Sequence, residues 1–202
     1  MKKIGIVIPY YNNSEKAKEL WCELEKEISR QFKEYNLIDK MEVWCLEDYY
    51  HEGLSITRNK VMQFFKDHDF EWILFLDSDD MINDTYLIDL YNTVVEKEKE
   101  GFNIIQTAFY IRDNLVEVKD ELTNHVTGIC YKTDLIKDLE FDPRLQYGED
   151  KDFSSKVSKK NWKRYYEPKC KYIYNYGMNN ECLTYKYSRG EISEYFERGD
   201  CM

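Results

Sequence analysis

The first half of the chain alternates short apolar runs with segments of helical periodicity, and this alternation constrains the possible folds more than any other feature. The apolar runs, at residues 4–8, 41–46 and 72–76, are rich in β-branched, aliphatic and aromatic side chains, as is typical of strands that a sheet buries on both faces. After each run, apolar residues recur every three or four positions, which predicts amphipathic helices, the longest over residues 14–35. Strand–helix units in series predict a parallel sheet with helices on its faces.

The second half of the chain has a mixed pattern. No repeat, low-complexity tract or linker separates it from the first half, and the 8 Gly and 3 Pro among 202 residues leave little linker material. A chain of this length can bury a sizeable core without disulfides or structural metals, so we predict a single α/β domain over residues 1–202. The predicted strands are residues 102–111, 115–118, 126–132, 165–167 and 171–176, and the predicted helices are residues 134–139 and 150–159.

Charge and composition exclude several classes of protein. The 39 acidic and 29 basic residues give a net charge of -10, which argues against nonspecific nucleic-acid binding and against a membrane surface held by charge, but not against a nucleotide bound through a metal ion. The apolar start of the chain ends at Pro9, too early for a signal peptide, and the run at residues 72–76 is far shorter than the roughly 20 residues that cross a bilayer. The 6 cysteines include no Cys-x-x-Cys pair, which argues against zinc and predicts reduced thiols in a cytoplasmic protein.

An acidic segment, Asp77-Ser78-Asp79-Asp80, directly follows the third predicted strand. Ligands of open α/β sheets bind beyond the carboxyl ends of the strands, where the loops after the first two strands also lie. Side chains alternate along an extended segment, so Asp77 and Asp79 can point the same way and suit one hard divalent cation. The alternative interpretation is a solvated acidic turn that caps the next helix.

Four motifs stand in order along the chain. They are Ile-Val-Ile-Pro-Tyr-Tyr-Asn at residues 6–12, Leu-Ser-Ile-Thr-Arg-Asn at 54–59, Trp-Ile-Leu-Phe-Leu-Asp-Ser-Asp-Asp at 72–80 and Gly-Glu-Asp at 148–150. In sequence, order and spacing they resemble the inverting family-2 glycosyltransferases, from residue 4 to about residue 184. The resemblance implies an α/β protein of GT-A fold, with a Rossmann-like, mostly parallel sheet flanked by helices and a mixed C-terminal half.

The resemblance also implies an activity, the transfer of a sugar from a nucleotide-sugar donor, commonly UDP-linked, to an acceptor hydroxyl, with Mn²⁺ or Mg²⁺ as cofactor. Residues 1–101 would form the nucleotide-binding half, residues 102–190 the acceptor-binding half and residues 191–202 a tail. The acceptor would be a glycan, a lipid-linked sugar or a protein, because the net charge of -10 disfavours nucleic acid.

The resemblance assigns roles to individual residues. Asp77 would contact the ribose, and Asp79 would bind the metal ion together with Asp77. Asp150 would be the catalytic base, with Glu149 beside it near the acceptor, and Arg58 would approach the nucleobase or the diphosphate. A histidine that some members add as a metal ligand has no counterpart here, and water could complete the coordination shell. The residues that would hold the nucleotide are Pro9, Tyr10, Tyr11, Asn13, Asp48 (or Glu47), Arg58, Asp77 and Ser78.

The predicted chemistry agrees with these roles. Inverting transfer is an in-line displacement at the anomeric carbon, and one carboxylate suffices to accept the proton of the acceptor hydroxyl. A metal ion would neutralise the charge that builds on the leaving diphosphate. Asp150 opens a predicted helix, where the helix dipole favours a negative side chain, so a helix cap is the alternative interpretation of this residue.

Two other functions fit the sequence. A non-catalytic nucleotide or sugar binder of the same fold is one, although a pure binder has no need of both Asp79 and Asp150. A phage-type glycosyltransferase that modifies nucleobases is the other, and the net charge counts against it. Residues outside the motifs are predicted to be structural: the histidines His51, His68 and His125 as ordinary residues, and the tryptophans Trp21, Trp44 and Trp72 as core.

Overall fold

The structure is a computed structural model that describes residues 3–11, 14–111, 114–116, 125–145, 147–175 and 189–190. Within these residues the chain forms eight strands and five α-helices. The strands are β1 (Ile4–Tyr10), β2 (Met41–Glu47), β3 (Trp72–Phe75), β4 (Met81–Ile82), β5 (Ile104–Ile111), β6 (Asn114–Leu115), β7 (Ile129–Lys132) and β8 (Arg164–Tyr174). The helices are α1 (Glu15–Glu34), α2 (Leu54–Asp67), α3 (Tyr86–Lys97), α4 (Thr133–Ile136) and α5 (Glu149–Ser158).

All eight strands belong to one sheet, in the order β2-β1-β3-β7-β5-β8-β4, with β6 paired to β5. Strand β1 runs parallel to β2 and to β3, as the strand–helix units predict. Strand β7 lies antiparallel between β3 and β5, and β5 runs parallel to β8. The predicted α/β class, with a parallel first half and a mixed second half, is confirmed.

The core lies on both faces of the sheet, and the central strands β1 and β3 are buried along their whole length. Along β1, Ile4, Ile6 and Ile8 pack on one side, whereas Val7 packs on the other. The apolar run at residues 4–8 therefore supplies apolar side chains to both faces of the sheet in alternation. Gly5 lies where α2 approaches β1 most closely, since a Cβ atom there would stand 2.5 Å from the Phe65 ring.

Helix α1 covers one of these faces and begins where the sequence predicts. The Ser14 hydroxyl accepts a hydrogen bond from the backbone N–H of Ala17 at 3.1 Å, which caps the helix. Ala17, Leu20, Leu24 and Ile28 are its buried apolar residues, at the spacing of one helical face. The predicted helix over residues 14–35 is confirmed.

Two sequence predictions about the elements are wrong. The two strands predicted at residues 165–167 and 171–176 are one strand, β8, in which the register shifts between Thr107 and Ala108 of its neighbour β5. The three residues between the two parts bulge out of the ladder, and Pro168 among them has no N–H to donate. Strand β7 begins at Ile129 instead of residue 126 because Gly128, at φ 72°, makes a turn before it.

Two of the tryptophans predicted to lie in the core, Trp44 and Trp72, differ in exposure. Trp44 is 37% exposed instead of belonging to the core, because β2 is an edge strand and the indole stacks on Phe64 at the surface. Trp72 is fully buried, as predicted. No helix within the described ranges is long and apolar enough to span a membrane.

Candidate active site

The carboxyl ends of β1 and β3 lie side by side, because the two strands are parallel neighbours. The backbone N–H of Leu76 continues this contact with a hydrogen bond to the Val7 carbonyl at 3.1 Å. Tyr10 ends β1 and Asp77 follows β3, so two of the predicted donor-binding segments share one edge of the sheet.

Arg58, near the start of α2, is the positively charged residue at the centre of the group of acids beside these strand ends. Its side chain is only 1% exposed, and its guanidinium contacts the carboxylates of three acids that the sequence analysis singled out. Nη2 donates to Asp77 Oδ1 at 2.8 Å, while Nη1 donates to Glu149 Oε1 at 3.2 Å and to Asp150 Oδ1 at 2.5 Å. The structure therefore brings the predicted ribose contact and both predicted acceptor-side acids together around one positive charge.

One guanidinium faces three buried or half-buried carboxylates, and the pKa values of two of these acids, Glu149 and Asp77, are raised. Burial, followed by the charge of Asp150, raises the pKa of Glu149 to about 7, although Arg58 opposes this shift. Burial also raises the pKa of Asp77 above its ordinary range, against the attraction of Arg58. Glu149 and Asp77 thus hold protons more tightly than exposed acids would.

Asp150 lies in the first turn of α5, but its side chain does not cap that helix. The N-cap is Gly148, at φ 84°, and makes no side-chain cap hydrogen bond. Instead, the two carboxylate oxygens accept from Arg58 and from the backbone N–H of Val126, the latter at 3.2 Å. These contacts hold the Asp150 carboxylate beside Arg58, which also binds Asp77. Helix capping therefore does not explain why an acid stands at this position.

The acidic segment after β3 is a turn in which the last acid has a structural role. Asp80 is buried, accepts the Tyr172 hydroxyl, and accepts the Asn175 backbone N–H at 2.8 Å. Burial, with the charges of Asp79 and Asp77, raises the pKa of Asp80 well above its ordinary value. The Asn175 side chain also donates to the Asp79 carbonyl at 2.8 Å, so β8 and the residue after it hold the turn.

This arrangement leaves Asp77 and Asp79 half-buried at the sheet edge. Within the described part of the chain, no group of three His, Cys, Asp or Glu side chains is placed to hold a metal ion. Mg²⁺ and similar ions are commonly held by only one or two carboxylates together with substrate phosphates and water. Asp77 and Asp79 stay the predicted ligands of an ion that binds together with a diphosphate.

The predicted nucleotide contacts on the loop after β1 have different environments. Pro9 and Tyr10 are buried within β1, and the Tyr10 ring lies 5.9 Å from that of Trp21. Tyr11 is 43% exposed and packs edge-on against the His51 ring at 5.1 Å. The structure therefore offers Tyr11 to a ligand more readily than Tyr10. Ser78 is half-buried in the acidic turn, and Asn13 lies outside the described residues.

Asp48, one of the predicted nucleotide contacts, organises the loop between β2 and α2. Its two carboxylate oxygens accept the backbone N–H groups of Glu52 and Gly53, both at 2.8 Å. The loop turns through His51, which adopts a left-handed φ of 56°. The Asp48 carboxylate is thus engaged in holding its own loop, and its contact with a nucleobase stays a prediction.

Sequence reasoning missed several residues that support this site. Asn59 and Phe141 hold the segment that leads to Asp150, and Tyr172 holds the acidic turn. The available signals were the Thr-Arg-Asn motif, which contains Asn59, and the stretch that runs from Phe141 into Gly-Glu-Asp. Tyr172 carried none because its partner Asp80 is 92 residues away in sequence. His125 is half-buried, as expected, and burial lowers its pKa to about 4, against the charge of the nearby Asp150.

No protein-family model and no curated protein matches the sequence. Solved structures do match: residues 1–349 of TarS from S. aureus align with a TM-score of 0.62 and 19% identity over 86% of this chain and 60% of that one. The same fragment in complex with UDP-GlcNAc aligns at 0.62 and 19% over 91% of this chain and 61% of that one. A197 from STIV aligns at 0.52 and 15% over 88% and 87%. At these identities the similarity shows the fold alone, which is GT-A-like. The chain spans about three fifths of the TarS fragment.

Proposed function

We propose that this protein is a glycosyltransferase that moves a sugar from a nucleotide-sugar donor, UDP-linked, to an acceptor hydroxyl with inversion. The observation that carries the proposal is the contact of Arg58 with both Asp77 and Asp150, which places the acid of the donor turn next to the acid expected to act as base. TarS, a glycosyltransferase of the same fold, has been crystallised with UDP and with UDP-GlcNAc, which supports this class of donor.

In the proposed reaction, the oxygen of the acceptor hydroxyl attacks the anomeric carbon while the bond from that carbon to the diphosphate oxygen breaks. Asp150 accepts the hydroxyl proton, and the nucleoside diphosphate leaves with the bonding electron pair. Because the attack and the departure are in line, one displacement inverts the anomeric configuration. Mn²⁺ or Mg²⁺, held by Asp79 and Asp77, would neutralise the charge on the diphosphate.

The acceptor in this proposal is a glycan, a lipid-linked sugar or a protein side chain, and the protein acts in the cytoplasm. Nucleic acid is disfavoured because a chain with a net charge of -10 repels a polyanion over distances near the Debye length. The surplus of acids is not confined to the site, since exposed helices such as α1 also carry several.

The experiment is a donor-hydrolysis and transfer screen with several nucleotide sugars, with and without Mn²⁺. We expect release of the nucleoside diphosphate from at least one donor, loss of UDP binding in Asp79→Ala, and retained binding without transfer in Asp150→Asn. Asp134→Asn, which changes an exposed acid at the start of α4, is the matched control and should behave as the unchanged protein. Normal transfer by Asp150→Asn would refute the assignment of the base.

A second candidate function, a non-catalytic nucleotide-sugar binder, has one observation in its favour. Both oxygens of Asp150 already accept hydrogen bonds, from Arg58 and from the Val126 N–H, so the protein occupies both oxygens that a base would offer to the proton of the acceptor hydroxyl. Calorimetry separates the two functions. A binder takes up UDP with Mn²⁺ but releases no product from any donor at any acceptor concentration.

A further inference from the structure

The Asn59 side chain forms a double hydrogen bond with the backbone of Phe141. Its Nδ2 donates to the Phe141 carbonyl at 2.9 Å, and its Oδ1 accepts the Phe141 N–H at 2.9 Å. One amide side chain therefore satisfies both backbone groups of a residue 82 positions away, as a neighbouring strand would. This fixes the position of the backbone at the start of the segment that leads to Asp150.

The Phe141 side chain extends this attachment to α5. Its ring is fully buried and stacks on Phe153 of α5, with centroids 4.2 Å apart and an angle of 11° between the planes. The Arg58 guanidinium lies over the same ring, 5.2 Å from its centroid. Phe141 thus links α2, through its backbone and ring, to the helix whose first turn carries Asp150.

Arg58 and Asn59 are consecutive residues of α2 and hold the same segment at its two ends. Asn59 binds the beginning, at Phe141, while Arg58 binds the end, at Glu149 and Asp150. A third residue of α2, Lys66, also contacts the backbone just before this segment, since its Nζ donates to the Leu139 carbonyl at 3.0 Å. Gln63, one turn after Asn59, is exposed, and its side chain donates to Asp67 of its own helix.

We propose that Asn59 is a positioning residue for the transfer reaction, and that with Arg58 it forms a clamp that sets the place of the Asp150 carboxylate relative to the donor turn. The inference rests on the proposed function, because it supposes that Asp150 reacts. Asn59 itself touches no reacting group and acts through Phe141 and the segment to α5. A clamp of this kind controls the rate of transfer and leaves the nucleotide site formed by the loops after β1 and β3 unchanged.

The chain contains a matched control for this clamp. Asn103 makes the same type of double contact: its Nδ2 donates to the Asn161 carbonyl at 3.0 Å and its Oδ1 accepts the Lys163 N–H at 2.7 Å. It precedes β5, and its carbonyl accepts the N–H of Lys132, which pairs with the first residue of β3. Asn103 therefore lies at the end of the sheet opposite Asp77. Loss of its double contact is expected to change stability without changing the site.

The test compares Asn59→Ala with Asn103→Ala in steady-state transfer and in calorimetric titration with UDP and Mn²⁺. We expect kcat to fall on the order of 10- to 100-fold in Asn59→Ala, because misplacing a reacting group by about 1 Å has effects of this size, while the Kd of UDP changes less than about twofold. Asn103→Ala should lower the melting temperature and keep kcat. An unchanged kcat in folded Asn59→Ala, or an equal fall in both variants, overturns the inference.

Should Asn59→Ala not fold, Asn59→Asp keeps an acceptor for the Phe141 N–H but sets a negatively charged oxygen against the Phe141 carbonyl, and a fall in kcat at least as large is expected of it. Hydrogen exchange provides a readout that does not depend on transfer. The amides of Val126, which donates to Asp150 Oδ2, and of Asp152, which donates to the Gly148 carbonyl, should exchange faster in the Asn59 variants than in the unchanged protein, and not in Asn103→Ala. A chain without transfer from any donor refutes the proposed function, whereas unchanged exchange in the Asn59 variants refutes the clamp.

Discussion

Replacing Glu149 by glutamine is expected to stabilise the protein above pH 7 and to change its stability little below pH 4.5. The reason is the tight binding of a proton by the buried side chain. Burial and the charge of Asp150 raise the pKa of Glu149 from 4.5 to about 7, so the folded chain binds this proton more tightly than the unfolded chain. The resulting stability is fully present below pH 4.5 and is lost as the pH rises through 7.

The size of the effect follows from that difference in pKa. Between 4.5 and about 7, the difference corresponds to about 3 kcal/mol of stability lost at pH 8, as an upper estimate for a group so close to Arg58. Glutamine carries no charge and keeps a carbonyl oxygen that can accept from Arg58. For a chain of 202 residues, about 3 kcal/mol corresponds to a melting temperature higher by roughly 6–12 °C.

Urea denaturation of the two proteins at pH 5 and at pH 8 measures this difference directly. The gain in the free energy of unfolding should be small at pH 5 and large at pH 8. Glu19→Gln, a change of an exposed acid on α1, is the control and should show no such pH dependence. An equal difference at both pH values, or a destabilised Glu149→Gln at pH 8, would refute the electrostatic reasoning about the cluster.

Three further changes test the supports of the fold and site by urea denaturation. Tyr172→Phe removes the hydroxyl that Asp80 accepts and should cost about 1–3 kcal/mol, because a buried carboxylate loses a donor. Gly5→Ala should cost about 1–3 kcal/mol through the contact with the Phe65 ring, and a smaller side chain at position 65 should recover part of the loss. Ser14→Ala should cost about 1 kcal/mol by removing the cap of α1.

The elements that the sequence predicted well are those whose signal is local. The apolar run of β1 and the four-residue spacing of α1 reflect contacts that each element makes along its whole length. Strand β4 has two residues and offers no periodicity, and β8 seemed to be two strands because a bulge with Pro168 interrupts its pattern. The exposure of Trp44 depends on the place of β2 at the edge of the sheet, which no local pattern encodes.

The sequence allowed the residues of the candidate site to be predicted, but not the contacts between them. The strand-end rule and the motifs pointed to Asp77, Asp150 and Arg58, and the structure brings these three together. The partners of Arg58 lie 19, 91 and 92 residues away, so their convergence on one guanidinium depends on the tertiary fold. The sequence assigned Arg58 only to the nucleotide, and that contact stays a prediction.

The order of strands in the sheet has a consequence for dividing the chain. Residues 1–101 contribute β2, β1 and β3 to one end of the sheet and β4 to the other, while the strands of residues 102–190 lie between them. A fragment that stops near residue 101 would expose the β3 edge that β7 covers and would leave β4 without β8. Within the described residues the two halves therefore interlock in one sheet, and we expect that a piece of residues 1–101 would not fold or exchange with another protein as an independent module.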